Sequence, residues 1–217
     1  MTPTPSPAPD WDVALPARGS HPGAPARVAL ADGSSRAVPA AVGRRLQRMR
    51  REGRAPAGGA ALDGAIDELL EQCARERVEQ LVSRRDYSAD ELRARLARDG
   101  YPQAVVSSRV RRACEAGVVD DARYAASFVR SKALAGWGRA KIERALSARG
   151  VSLDELGDAA DELLSDDEEY GRALSLAERR VRSGRSELGS LVRFLCGRGF
   201  SPGVAWRAAR AALGDDE

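Results

Sequence analysis

The chain is 217 residues long, 31% charged and only 5% aromatic, with a formal net charge of +3. That length allows one good core or several small ones, built from Leu, Val, Ile and Ala for want of aromatics. A single histidine, His21, leaves His-based acid–base catalysis and His-ligated metals without their residues, and no run approaches the roughly eighteen apolar residues of a membrane span. Residues 1–26 hold seven prolines and few apolar side chains, a composition that does not offset the entropy of ordering, and are expected to be disordered. This start lacks the charged block and apolar run of a secretory signal, so a soluble, cytoplasmic protein is expected. Val28 and Leu30 alternate up to Asp32-Gly33, with Val38 on the return, which predicts a small β-hairpin. Val42, Leu46 and Met49 predict a short helix, broken by the stretch from Arg54 to Gly59. From Leu62 the apolar intervals of three and four continue through Ile66, Leu69, Leu70, Cys73, Val78 and Leu81. Helices are then predicted at residues 88–98, 102–115, 120–134, 138–149, 152–164, 167–181, 187–198 and 202–213. Reciprocal capping boxes are expected at Ser88 with Glu91 and at Ser152 with Glu155.

One spacing pattern recurs three times along this series. Two apolar residues lie four apart, a Gly follows four later, and then come an apolar residue and a helix-starting residue. The copies are Leu92, Leu96, Gly100, Tyr101, Pro102; Ile142, Leu146, Gly150, Val151, Ser152; and Leu191, Leu195, Gly199, Phe200, Ser201. Each reads as a helix ended by a left-handed Gly and followed at once by another helix. With the longer preceding helix this makes a three-helix unit, and a repeat of about fifty residues signals stacked modules. A lone unit of that size is marginal, so neighbours must cover one another's apolar faces. The expected fold is all-α: three tandem three-helix repeats in an elongated, curved, solenoid-like body. The division is a tail at 1–26, an extension at 27–60, and repeats at 61–116, 117–165 and 166–217.

Charge is segregated along the chain. Residues 84–149 carry fifteen basic and eight acidic groups, and residues 151–171 carry nine acidic and no basic ones. Such segregation bears on partner encounter more than on fold. The acidic run Asp166, Asp167, Glu168, Glu169 lacks the alternating ligands and central Gly of a calcium loop and suits a helix first turn. Cys73, Cys114 and Cys196 are widely spaced, without a CxxC, and read as reduced thiols at apolar helical positions. There is no P-loop, and no nucleophile has a base nearby in sequence, so neither an enzyme nor a cofactor is expected. What remains is arginine. Arg93, Arg95 and Arg98 mark the first module, with Arg109, Arg111 and Arg112 on its next helix. Arg139, Lys141 and Arg144 mark the second, on the face left free by Ile142 and Leu146. Arg179, Arg180, Arg182 and Arg185 enter the third. Cationic rows of this kind pair with phosphates or carboxylates, guanidinium groups bidentately, which makes Arg93, Arg95 and Arg98 of the first module and Arg139, Lys141 and Arg144 of the second the candidate binding residues. Asp120 and Asp121 form an acidic corner that caps a helix or faces a partner.

Four ordered motifs carry a resemblance: Ser88-Ala-Asp-Glu-Leu-Arg-Ala-Arg-Leu with Gly100, Gly117-Val-Val-Asp-Asp-Ala-Arg-Tyr-Ala, Gly138-Arg-Ala-Lys-Ile with Leu146 and Gly150, and Arg198-Gly-Phe-Ser. Through them residues 76–213 resemble the bacterial RecX family of RecA modulators. The Val118-Val119 pair departs slightly from that pattern, and residues 1–26 and 44–59 fall outside it. The resemblance implies three tandem three-helix repeats. It also implies a protein lying in the groove of the RecA filament on single-stranded DNA, restraining recombinase, ATPase and coprotease activities without catalysis; a monomer is expected. The alternative is a helix-turn-helix transcriptional regulator. Against it, of the second-helix starts Pro102-Gln103-Ala104-Val105, Ser152-Leu153-Asp154-Glu155 and Ser201-Pro202-Gly203-Val204, the middle one is acidic and the last apolar, poor tools for a major groove.

Overall fold

The computed structural model describes residues 9–21, 23–184 and 187–214. Its first element is a strand, Trp11–Ala14 (β1), with Trp11 and Val13 buried between exposed Asp12 and Ala14. That period of two marks a half-buried strand. β1 pairs antiparallel with Ala26–Leu30 (β2), placing Val13 opposite Val28, and β2 pairs with Ser35–Val38 (β3). The Asp32-Gly33 turn between them has Gly33 at φ +83°, and the Asp32 carboxylate accepts the Ser34 N–H at 2.8 Å. The hairpin is present as the sequence predicts. The expected disorder through residue 26 is corrected by β1, while residues 1–8 lie outside the described part. The physical reason is Trp11, whose indole N–H donates to the Pro56 carbonyl at 2.9 Å and whose ring is buried in the core. A third strand also widens a ribbon that would be marginal with two.

Ala40–Arg51 (α1) lays Val42 and Leu46 on the sheet, and Ala60–Val82 (α2) buries Leu62, Ile66, Leu69, Leu70, Cys73 and Val78. Ala89–Arg98 (α3) begins in the expected capping box: the Ser88 hydroxyl accepts the Glu91 N–H at 3.1 Å, and the Glu91 carboxylate accepts the Ser88 N–H at 3.5 Å. α3 ends at Gly100, φ +88°, and Gln103–Glu115 (α4) follows. Sheet and helices share one core, so the residues up to Val119 form a compact unit in which the extension and the first three-helix module are inseparable.

The second unit begins at Asp120. Asp121–Leu134 (α5) and Arg139–Ser147 (α6) enclose Tyr124, Val129, Ile142 and Leu146. The single helix expected at 152–164 is two pieces, a 3-10 turn at Leu153–Leu156 and Asp158–Leu163 (α7), parted by Gly157 at φ +52°. The second capping box fails with it. The Ser152 hydroxyl accepts from Asp154 N–H at 3.2 Å, because the tighter turn brings a nearer amide into range. The third module is Asp166–Arg182 (α8), Leu188–Gly197 (α9) and Pro202–Leu213 (α10). Gly150 and Gly199 end their helices at φ +70° and +94°, as their spacing predicts.

Candidate binding surface

The turn between α5 and α6 orders the second module's cations. Its Trp137 packs half-buried on the module's core, and the ammonium of Lys141 lies 4.4 Å from the ring centroid, that of Lys132 5.2 Å. The α6 start has three amides pointing out, and all are taken up by the third module. Gly138 N–H donates to Arg198 O at 2.9 Å and Ala140 N–H to Gly199 O at 3.2 Å. Between them, Arg139 N–H donates to a Glu169 carboxylate oxygen at 2.8 Å. Glu169 is only 5% exposed, so it acts as a helix cap supplied from α8. The two chain segments lie so close that a Cβ at Gly138 would collide with the Gly199 backbone, and one at Gly199 with Lys141.

This junction alters the expected cluster. Ile142 and Leu146 are buried as predicted, but the opposite face of α6 is not free over its whole length. Arg139 and Lys141 are partly covered where the third module docks, and the Arg139 guanidinium pairs with Glu143 at 3.0 Å. Arg144 alone of the three is exposed, its guanidinium donating to the Ala140 carbonyl at 3.1 Å. Asp120 caps α5 by accepting Arg123 N–H at 2.9 Å, and Asp121 sits in the same first turn.

In the first module Arg93 pairs with Asp90, and Arg95 lies 3.7 Å from Asp99 with its Nε buried and unbonded. Asp99 is already held by Arg77 at 2.7 Å. Arg98 is exposed at the end of α3, where its backbone carbonyl is covered by Gly23. Arg109 pairs with Glu71 and Arg111 with Glu115 at 3.6 Å. Much of the basic charge read along the chain is thus locally neutralised, and an exposed pair of that kind adds little to stability. In the third module Arg180 stacks on Phe194 at 4.2 Å, and Arg185 lies outside the described residues. Sequence reasoning missed Glu169 as an individual, having assigned the whole acidic run to the helix dipole. Its phase was the available signal, since it lies four and eight residues before buried Ala173 and Ala177. No described helix is long and apolar enough to cross a membrane.

Comparison with known proteins agrees with this arrangement. Residues 74–108 match the first three-helix domain of RecX and residues 120–159 the second. The chain is 34% identical over 160 residues to the regulatory protein RecX of Halorhodospira halophila, covering 71% of this chain and 94% of that protein. It is 39% identical over 123 residues to that of Chromohalobacter salexigens, covering 56% and 80%. The Mycobacterium marinum protein of the same name is 35% identical over 152 residues, covering 66% and 86%. Among solved structures, RecX from Lactobacillus salivarius superposes with a TM-score of 0.59 at 18% identity over 67% of this chain and 97% of its own, a likeness of fold.

Proposed function

This chain belongs to the RecX family, and on that basis we propose that it is a non-enzymatic, cytoplasmic regulator of RecA. It binds the RecA filament on single-stranded DNA and restrains its recombinase, ATPase and coprotease activities. The observation that carries this reading is the match along nearly the whole length of a regulatory relative, both three-helix domains included. Arg93, Arg98 and Arg144 are the exposed cations of the candidate set and make the contacts, through guanidinium pairing with phosphates or carboxylates. Arg95, Arg139 and Lys141 act through the fold, holding the helices that present them, and Asp120 and Asp121 set the start of α5. A protein of this kind needs no reacting group. By binding one filament state more tightly than another, it shifts the equilibrium between them.

The base-reading alternative loses support at the second module, where the segment after Gly150 is a four-residue 3-10 turn and a six-residue helix. A major-groove recognition helix needs more length. The test is titration into RecA–DNA filaments while ATP hydrolysis is followed. Hydrolysis is expected to fall at near-stoichiometric ratios, and undiminished RecA activity at several-fold excess overturns the proposal.

A further inference from the structure

The first unit holds a cavity of about 630 Å³ between the start of α1, the middle of α2 and the turn after α3. Four guanidinium groups line it, from Arg44, Arg45, Arg48 and Arg77, against two carboxylates, Glu76 and Asp99. Both carboxylates are engaged, Glu76 by Arg45 and Asp99 by Arg77, each at 2.7 Å. Arg44 and Arg48, one turn apart on α1, are exposed and have no carboxylate partner among the described residues. The cavity's net charge is therefore positive, and its free cations come from one helix face.

Two further kinds of donor belong to its lining. α1 starts after Pro39, whose ring has no acceptor to cap it, and its first turn carries no acid. The partial positive charge of that turn opens on the cavity through Ala40 and Ala41. From the turn after α3 comes Tyr101, 6% exposed, lining the cavity, its hydroxyl without a hydrogen-bond partner among the described residues. Burial pushes that hydroxyl above the ordinary tyrosine range, so it stays a neutral O–H donor at neutral pH.

We propose that this cavity binds a phosphate group carried by a nucleotide. Arg44 and Arg48 supply the guanidinium forks, Tyr101 an O–H donor and the first turn of α1 its backbone N–H groups. Donors approaching from several directions suit the tetrahedral oxygens of phosphate better than the two coplanar oxygens of a carboxylate. The volume lies in the range of small-ligand pockets, about 300–1,000 Å³. The phosphate is borne either by a free nucleotide or by a nucleotide of a single strand. A strand source is compatible with the RecA reading but does not rest on it, and the site is tested on the protein by itself, without RecA.

The experiment is calorimetric titration of the full chain with metal-free ATP, with an oligothymidylate, and with poly-glutamate as the carboxylate control. ATP binding identifies a free nucleotide as the source, and oligothymidylate binding without ATP binding identifies the strand. In either case R44E/R48E is expected to weaken affinity at least about tenfold and Tyr101→Phe several-fold, with helical content by circular dichroism unchanged. Tyr101→Phe keeps the buried ring and so separates loss of a donor from loss of fold. Absence of binding by both phosphate probes at millimolar concentration overturns the proposal. So does equal binding by R44E/R48E, or poly-glutamate binding as tight as the phosphate probes.

Discussion

Glu169 shows how one side chain converts an ordinary charge run into architecture. Its carboxylate accepts the Arg139 N–H from within the junction, where no water replaces it readily. Glu169→Ala leaves a buried amide without an acceptor, which costs about 1–3 kcal/mol. Glu169→Gln keeps a carbonyl oxygen in place and is expected to cost less. Denaturant midpoints of the two variants check that order, and equal midpoints remove the capping role. Tyr101 makes a second prediction, in pH. Its hydroxyl loses its proton near pH 10 in an unfolded chain and only above that range in the folded one, because burial disfavours the phenolate. The native state therefore holds the proton longer, and the stability linked to it is intact below about pH 10 and declines as pH rises above it. Thermal melts are expected to fall more steeply above pH 10 for the natural chain than for Tyr101→Phe. The thiols differ in the same physical way. Cys73 is buried and its pKa raised by that burial, so Cys114, exposed on α4, is expected to react first with a thiol reagent.

At the scale of elements, the repeated glycines Gly100 and Gly199 look alike in sequence and differ in surroundings. Gly100 and Gly199 both have positive φ, where an added Cβ costs about 1–2 kcal/mol. At Gly100 the nearest atom to such a Cβ is 3.8 Å away, whereas at Gly199 it would strike Lys141 at the α6 start. Gly199→Ala is thus expected to lose about 1–3 kcal/mol more than Gly100→Ala through overpacking at the junction, as compared by urea denaturation. Similar losses would mean that the junction yields freely. These turns were legible because few residues tolerate φ > 0, and the helices because apolar spacing reports burial directly. Strand β1 was not, since the prolines around it dominate the local composition while a single Trp11 decides the outcome. The break at Gly157 was present in the sequence but masked by apolar spacing that runs through it. The candidate residues were half legible. Phase correctly buries Ile142 and Leu146, yet the covering of Arg139 and Lys141 comes from backbone hydrogen bonds to residues 198 and 199, for which side-chain patterns carry no code.

For the whole molecule, what matters is how much of the arginine charge remains available. The chain is nearly balanced, and many guanidinium groups are spent on carboxylates of their own module, as with Arg77 and Asp99 or Arg109 and Glu71. Binding to a polyanionic filament depends on the unspent ones, because each new ion pair releases counterions and steepens the salt dependence. This separates two residues that sequence alone groups together. Arg144 is exposed and bonds only its own helix among the described residues, so Arg144→Glu is expected to weaken filament binding and flatten its salt slope with the fold intact. Arg139 pairs with Glu143 beside the junction. Arg139→Glu places two like charges one helical turn apart at the docking site of the third module, and is expected to lower the denaturation midpoint as well as binding. Inhibition of RecA-dependent ATP hydrolysis, measured at several salt concentrations and paired with melts of each variant, reads both effects at once. If Arg144→Glu retains full inhibition and the same salt slope, the exposed face of α6 is not the contact. The proposed binding role then passes to Arg93 and Arg98 of the first module.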